Sequence, residues 1–199
     1  MPIEIVLASA SSARAELLRQ AGVMFRAEPA AINEDALKRR ARERGRAGIE
    51  CARELAQAKA QAVSKQNPGV LVIGADQILV LDNDWFDKPR DREGARVQLL
   101  ALRGRAHELA TAACGVQQGI LRWRAESQPR LTMRLFSDSF LDDYLDAEGD
   151  ALLGSVGAYR LEGRGVQLFS GITGDYFAVL GLPLIELLAF LRECGALER

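Results

Sequence analysis

Ser9, Ser11 and Ser12, with Arg14 two residues further on, follow directly on a short apolar run at residues 3–8. A strand turning into a helix at that point leaves the first backbone N–H groups of the helix unsatisfied and aimed at one spot. Hydroxyls, N–H groups and a guanidinium converging there suit an anion, a phosphate above all. The run has neither the glycines nor the lysine of a Walker A loop, and its alternative reading is a serine-capped helix with a surface arginine. Asp76 is the second chemical signal. It follows Gly74-Ala75 and precedes Gln77 inside the apolar stretch 70–81, where no residue of its own strand can neutralise it. An acid so placed is costly to bury alone, so either a metal, a cation or a substrate faces it, or it ends its strand bonded to backbone amides. Glu34, Lys59 and Lys88, taken singly, read as solvated side chains. His107 is the only histidine. Its strand neighbours mark it as a satisfied structural residue, and a Ser-His-Asp system would have to use it.

The elements that must hold these groups follow from periodicity and punctuation. Residues 3–8 read as a buried strand, followed by a helix with Leu17 and Leu18 that Gly22 ends. Residues 23–28 read as a second strand, and Pro29 opens a loop containing Asn33-Glu34-Asp35. Six of the nine residues 38–46 are basic, with Glu43 the only acid, which gives one charged helix face. Ala52, Leu55, Ala56, Ala58, Ala60 and Ala62 continue at helical density to about Lys65, where Asn67-Pro68-Gly69 closes the helix. Residues 70–81 form a nearly continuous apolar strand. Asp91 caps a helix to Leu102, residues 106–116 form a strand, and Gln117-Gln118-Gly119 turns into another near 120–123. Residues 131–135 alternate as a strand with one covered face, and Ser137 caps a helix to about Ala147. After the glycine-rich segment 149–165, short strands are expected near 166–170 and 176–180. Pro183 opens a last helix with Leu184, Leu187, Leu188 and Leu191 on one face. Alternating strands and helices with no clear linker indicate an α/β or α+β protein.

Composition sets the outer limits. The 199 residues are 48% apolar and 27% charged, which fits an ordinary globular chain of one large domain or two small lobes. Cys51, Cys114 and Cys194 are odd in number and lack metal spacing, so they read as reduced and mostly buried in a cytoplasmic setting. A net charge of −1 lacks the broad positive field of a non-specific nucleic-acid binder, although residues 38–46 keep a local basic patch. The opening Met1-Pro2-Ile3 has no cationic leader, and no apolar stretch approaches the roughly 20 residues that span a bilayer. Neither a nucleic-acid nor a membrane partner is expected.

The motifs, taken in order, resemble those of the Maf family of nucleoside triphosphate pyrophosphatases. Residues 7–18, LASASSARAELL, resemble its opening LASxSPRRxELL signature. Glu34 falls at its acidic position after the second strand, Lys59-Ala60 at its helical Lys-Ala, and Gly74-Ala75-Asp76-Gln77 at its GADT or GSDQ strand. Lys88-Pro89 matches its GKP loop, and His107 with Thr111 its HxxxT strand. Gly157-Ala158-Tyr159, Gly163 and Gly181-Leu182-Pro183-Leu184 match its carboxy-terminal motifs. The likeness covers roughly residues 3–192. One arginine and the proline of SPRR are absent, so phosphate affinity is expected to be weaker or differently supplied.

The resemblance implies one Maf-like domain over residues 1–199, with a long, mixed, twisted sheet flanked by helices and two lobes around a nucleotide cleft. It implies hydrolysis of a nucleoside triphosphate to the monophosphate and pyrophosphate, a house-cleaning activity on non-standard nucleotides. Asp76 would be the base. Ser11, Arg14, Lys59 and Lys88 would bind phosphate, and Glu34 would join Asp76 in holding Mg²⁺ or Mn²⁺. Gln77 and the Glu162-Gly163 pair resemble the 7-methyl-GTP branch rather than the dTTP/UTP branch, since a glutamate accepts from guanine N1–H and its amino group. Ala13 replaces the bulky tryptophan typical of that branch. A homodimer is common among relatives. The rival readings are a dTTP/UTP pyrophosphatase of the same family, a nucleotide-binding regulator without turnover, and a nucleic-acid binder using residues 38–46.

Overall fold

The structure is a computed structural model that describes residues 3–198. Met1 and Pro2, which open the run read as lacking a leader, and Arg199 lie outside the described residues. The chain is mixed α/β, and its eight strands belong to a mixed sheet flanked by helices. It divides into two compact units. The first takes the chain up to Gln77, Ala110–Ser127 and the chain from Asp175 on; the second takes Ile78–Leu109 and Gln128–Gly174.

In the first unit, strand β1 (Ile5–Leu7) lies parallel between β2 (Arg26–Ala27) and β3 (Leu71–Leu81), with Ile5 opposite Leu71 and Leu7 opposite Ile73. All three β1 residues are buried, as a parallel strand covered on both faces requires. Helix α1 (Ser12–Gln20) follows. Ser11 caps it, its Oγ accepting from Arg14 N at 3.4 Å. Helix α2 (Glu34–Glu43) begins where a loop was expected, because the Asn33 side chain accepts from Ala36 N at 2.9 Å and starts the helix one residue before Asp35. Gly45, at φ 63°, ends it, so the basic run is split between α2 and a turn.

Helix α3 (Gly48–Ser64) buries Ala52, Leu55, Ala56, Lys59, Ala60 and Val63, a stripe at i, i+3, i+4, i+7, i+8 and i+11. Beyond it, β5 (Ala106–Gln117) carries its C-terminal half in this unit and pairs antiparallel with β6 (Ile120–Ser127), which runs four residues past the expected end. Residues 176–180 were expected to extend, but Asp175 Oδ1 accepts from Phe177 N at 2.9 Å and they form the short helix α6 (Tyr176–Val179). Helix α7 (Leu184–Glu193) lays Leu184, Leu187 and Leu191 on a core with Ile5, Leu7, Leu18, Ile73 and Ala113, and Phe190 stacks on Trp123 at 5.2 Å.

In the second unit, the end of β3 forms a hairpin with β4 (Asp84–Phe86), which the sequence reading passed over. Asp91 caps α4 (Arg92–Leu102) by accepting from Gly94 N at 2.7 Å. The start of β5 pairs with β7 (Arg130–Met133), which pairs in turn with β8 (Phe169–Thr173). β7 stops two residues short of the expected strand, leaving Leu135 exposed. Ser137 caps α5 (Asp138–Glu148). Three short 3₁₀ turns occupy most of residues 149–168, including the start of the expected strand at 166–170.

Candidate active site

Asp76 meets its cation from another element. Lys59 Nζ on α3 donates to Asp76 Oδ1 at 2.6 Å and lies 3.0 Å from Glu34 Oε1 at the start of α2. Lys59 and Asp76 are both buried, whereas Glu34 is partly open. The solvated reading of Lys59 is therefore corrected, since the lysine occupies the buried stripe of α3.

The close pair depends on Gly74. A Cβ at that position would lie 2.2 Å from the Ala56 carbonyl oxygen and 2.9 Å from Ala60 Cβ, so α3 is seated on bare backbone of β3. Lys59, between Ala56 and Ala60, is carried against Asp76 two residues along the strand. The hydrogen bond from Lys59 engages Oδ1 of Asp76, and none reaches Oδ2 among the described residues. An open cavity of about 680 Å³, lined by Ala31, Ile32, Asn33, Glu34, Asp35 and Lys38, reaches the Glu34 side of this cluster.

Arg14, on the buried face of α1, is held by neutral acceptors. Its Nε donates to Gly181 O at 2.7 Å and its Nη1 to Ser9 Oγ at 3.2 Å. Ser9 Oγ also accepts from Ser11 N at 3.2 Å. Of the five N–H donors a guanidinium carries, three have no partner among the described residues. Burial pulls the Arg14 pKa below its ordinary value, while Asp76 and Glu34 push it back up. Both acids therefore act electrostatically on Arg14, which puts all four side chains in one charged cluster. Its formal charges, two positive and two negative, cancel. Ser9 and Gly181 were missed as supports by the sequence reading.

The remaining candidates separate. Ser11 is spent as the α1 cap, and Ala13 sits half-buried in the first turn of α1. Gln77, the next residue after Asp76, points its amide the other way: Nε2 donates to Thr111 Oγ1 at 2.8 Å and Ala178 O at 2.8 Å, with Val179 O at 3.2 Å. In the second unit Lys88 is exposed just after β4, and Glu162 lies in a turn with its Oε1 3.4 Å from Arg160 Nε.

His107, in the same unit, contacts Tyr159 Oη through Nε2 at 2.8 Å, but its buried Nδ1 has no partner among the described residues. The histidine is structural, as expected, but not fully satisfied. Burial lowers its pKa to about 4, so it is neutral near pH 7. No serine–histidine pairing occurs at it among the described residues. Cys51, Cys114 and Cys194 are all free; burial lifts the Cys51 thiol to about 11 and the Cys114 thiol to about 12.

Two carboxylates around one ammonium also fit a divalent cation. Glu34 and Asp76 present hard oxygens to a common point, here Lys59 Nζ. No group of three or more metal-ligating side chains gathers among the described residues. Mg²⁺ needs only one or two carboxylates, since water and phosphate complete its shell.

The chain is thus a mixed α/β protein whose third strand presents an aspartate paired with a buried lysine. Residues 4–194 match the family model described as Maf-like protein, and the chain belongs to that family. It is 52% identical over 192 residues to a protein of Paramagnetospirillum magneticum named nucleoside triphosphate pyrophosphatase, covering 96% of this chain and 99% of the relative. A protein of the same name from Granulibacter bethesdensis is 50% identical over 195 residues, covering 98% and 99%. A protein of Mesorhizobium japonicum named 7-methyl-GTP pyrophosphatase is 46% identical over 198 residues, covering the whole of both chains.

Proposed function

We propose that this chain is a nucleoside triphosphate pyrophosphatase that hydrolyses its substrate to the nucleoside monophosphate and pyrophosphate. The observation that carries the mechanism is the pairing of Asp76 through Oδ1 alone, with Oδ2 left to accept a proton. Water attacks the α-phosphorus, the bond from that phosphorus to the bridging oxygen breaks, and Asp76 Oδ2 takes the proton of the water. Lys59 fixes the carboxylate and keeps it next to a positive charge. The three unused N–H donors of Arg14 would take the phosphate oxygens, and Lys88 keeps the phosphate-binding role that the family resemblance implies. General-base assistance of this kind is worth roughly 10²- to 10⁴-fold.

The zero net charge of Arg14, Lys59, Asp76 and Glu34 supports a divalent metal, because the cluster alone cannot balance a triphosphate. Glu34 and Asp76 would hold Mg²⁺ or Mn²⁺, which when bound supplies charge neutralisation on the phosphates. The names of several relatives and the Glu162-Gly163 pair support a guanine-type substrate, 7-methyl-GTP above all. Free thiols at all three cysteines, and the absence among the described residues of a helix able to cross a membrane, are compatible with a cytoplasmic enzyme. The test is pyrophosphate release from 7-methyl-GTP, GTP, dTTP and UTP with Mg²⁺ and with Mn²⁺. Release is expected, with the highest kcat/KM for 7-methyl-GTP; absence of release from every triphosphate refutes the activity, and a preference for dTTP or UTP refutes the base assignment.

A further inference from the structure

We infer that Thr111 is a positioning residue for this reaction, acting with Gln77 through the segment 178–181 to aim the Arg14 guanidinium. The inference rests on the reading of Arg14 as a phosphate ligand. Thr111 is fully buried on β5 among Ala110, Ala112 and Ala113, where a hydroxyl is tolerated only with partners. Its Oγ1 donates to Ala178 O at 2.9 Å and accepts from Gln77 Nε2 at 2.8 Å. Gln77 Nε2 reaches the same Ala178 carbonyl at 2.8 Å and Val179 O at 3.2 Å.

These are carbonyls at the end of the four-residue helix α6, which is too short to satisfy them internally. Ala178 O also accepts from Gly181 N at 3.0 Å, and Phe177 O from Leu182 N at 3.2 Å, closing a turn at Gly181 with φ 99°. The carbonyl of Gly181 then receives Arg14 Nε at 2.7 Å. A chain of hydrogen bonds between 2.7 and 3.2 Å thus runs from the two side chains to the arginine.

Two features make the route consequential. Among the described residues Arg14 is hydrogen-bonded to no carboxylate, so its hydrogen bonds to Gly181 O and Ser9 Oγ set its orientation, and the contact at Gly181 inherits its position from α6. Asp76 and Gln77 also occupy adjacent places on β3 and therefore opposite faces. One strand supplies the base on one side and the anchor of the arginine support on the other. Gln77, expected with Glu162 to select the base, has its amide engaged in this support.

The test compares Thr111→Val, which keeps volume and loses the hydroxyl, with Thr111→Ser, which keeps the hydroxyl and loses a methyl group. The Val variant, folded by circular dichroism, is expected to raise KM for the preferred triphosphate about 10-fold with a smaller change in kcat; the Ser variant stays within about 3-fold of wild type. In an Arg14→Ala background the Val substitution adds less than about 2-fold.

The Arg14 Nε–H resonance, assigned by its loss in Arg14→Lys, gives a readout independent of turnover. Its exchange with solvent accelerates at least about 10-fold in Thr111→Val. Unchanged KM and unchanged exchange in a folded Val variant, a Ser variant more impaired than Val, or the same KM penalty with and without Arg14 overturns the inference. Faster exchange in a wild-type background that releases no pyrophosphate would uphold the positioning and refute the activity instead.

Discussion

Gly74→Ala is the sharpest single perturbation of the site, because it adds one methyl group where α3 touches β3. The new Cβ would stand 2.2 Å from the Ala56 carbonyl oxygen, against an ordinary carbon–oxygen contact of about 3.3 Å, so the helix must withdraw by about 1 Å. The neighbouring contact, 2.9 Å to Ala60 Cβ, gives no easier direction of escape. Overpacking of this kind costs about 1–3 kcal/mol, which for a chain of this length lowers Tm by roughly 3–10 °C.

The larger effect falls on chemistry. Lys59 rides on the same helix turn, and moving it by about 1 Å stretches the 2.6 Å contact with Asp76 beyond hydrogen-bonding range. A displacement of that size costs on the order of 100-fold in turnover. Calorimetry and a pyrophosphate-release assay on the same preparation measure both. A variant with Tm within about 1 °C of wild type and more than half its turnover would refute the close-approach argument. Gly22→Ala is the companion control: it meets no atom within 4 Å, so its strained φ of 73° should cost stability without touching turnover.

Three further outcomes are expected. Asp76→Asn should retain a folded protein yet lose at least about 100-fold in kcat, and retention of half the activity in a steady-state assay would remove Asp76 as the base. His107 binds its proton more weakly folded than unfolded, so stability should fall by roughly 3 kcal/mol as pH drops from 6.5 through 4. Denaturant midpoints across that window should fall less steeply for His107→Phe than for wild type, and equal slopes would refute the assignment. Glu162→Gln should shrink the kcat/KM preference for guanine-type over pyrimidine triphosphates by about 10- to 100-fold with little change in pyrophosphate inhibition; an unchanged preference would place base selection elsewhere.

Most of the architecture was legible because long elements advertise their period. Strand β3 was read from a continuous apolar run, and α4 and α5 from their Asp91 and Ser137 caps. Of the short elements, β1 and β2 were read as strands, but β4 and α6 were not read as what they are. The apolar stretch 176–180 is too brief for periodicity to distinguish helix from strand, and only the cap at Asp175 marked it as a turn of helix. At the site, Asp76 stood out as an acid among aliphatic residues. Lys59 did not, although it could have: with Ala52, Leu55, Ala56 and Ala60 it completes the buried stripe of α3, so a lysine there needs an internal anion. The support of Arg14 was beyond local reading. Gly181 lies 167 residues away, and only the folded chain brings its carbonyl to the guanidinium.

The opposite orientation of Asp76 and Gln77 also governs which length changes the gene can accept. Because side chains alternate with a period of two, inserting or deleting one residue between Leu71 and Gly74 would exchange the two faces. The carboxylate would then confront Thr111 and the end of α6, and the amide would confront Lys59, so the base and the support of the arginine would be lost in one event. An insertion at the exposed turn around Gly69, where no atom lies within 4 Å of a Cβ, leaves that alternation intact. Length variation among descendants of this chain should therefore accumulate in the turn and stop abruptly at the strand.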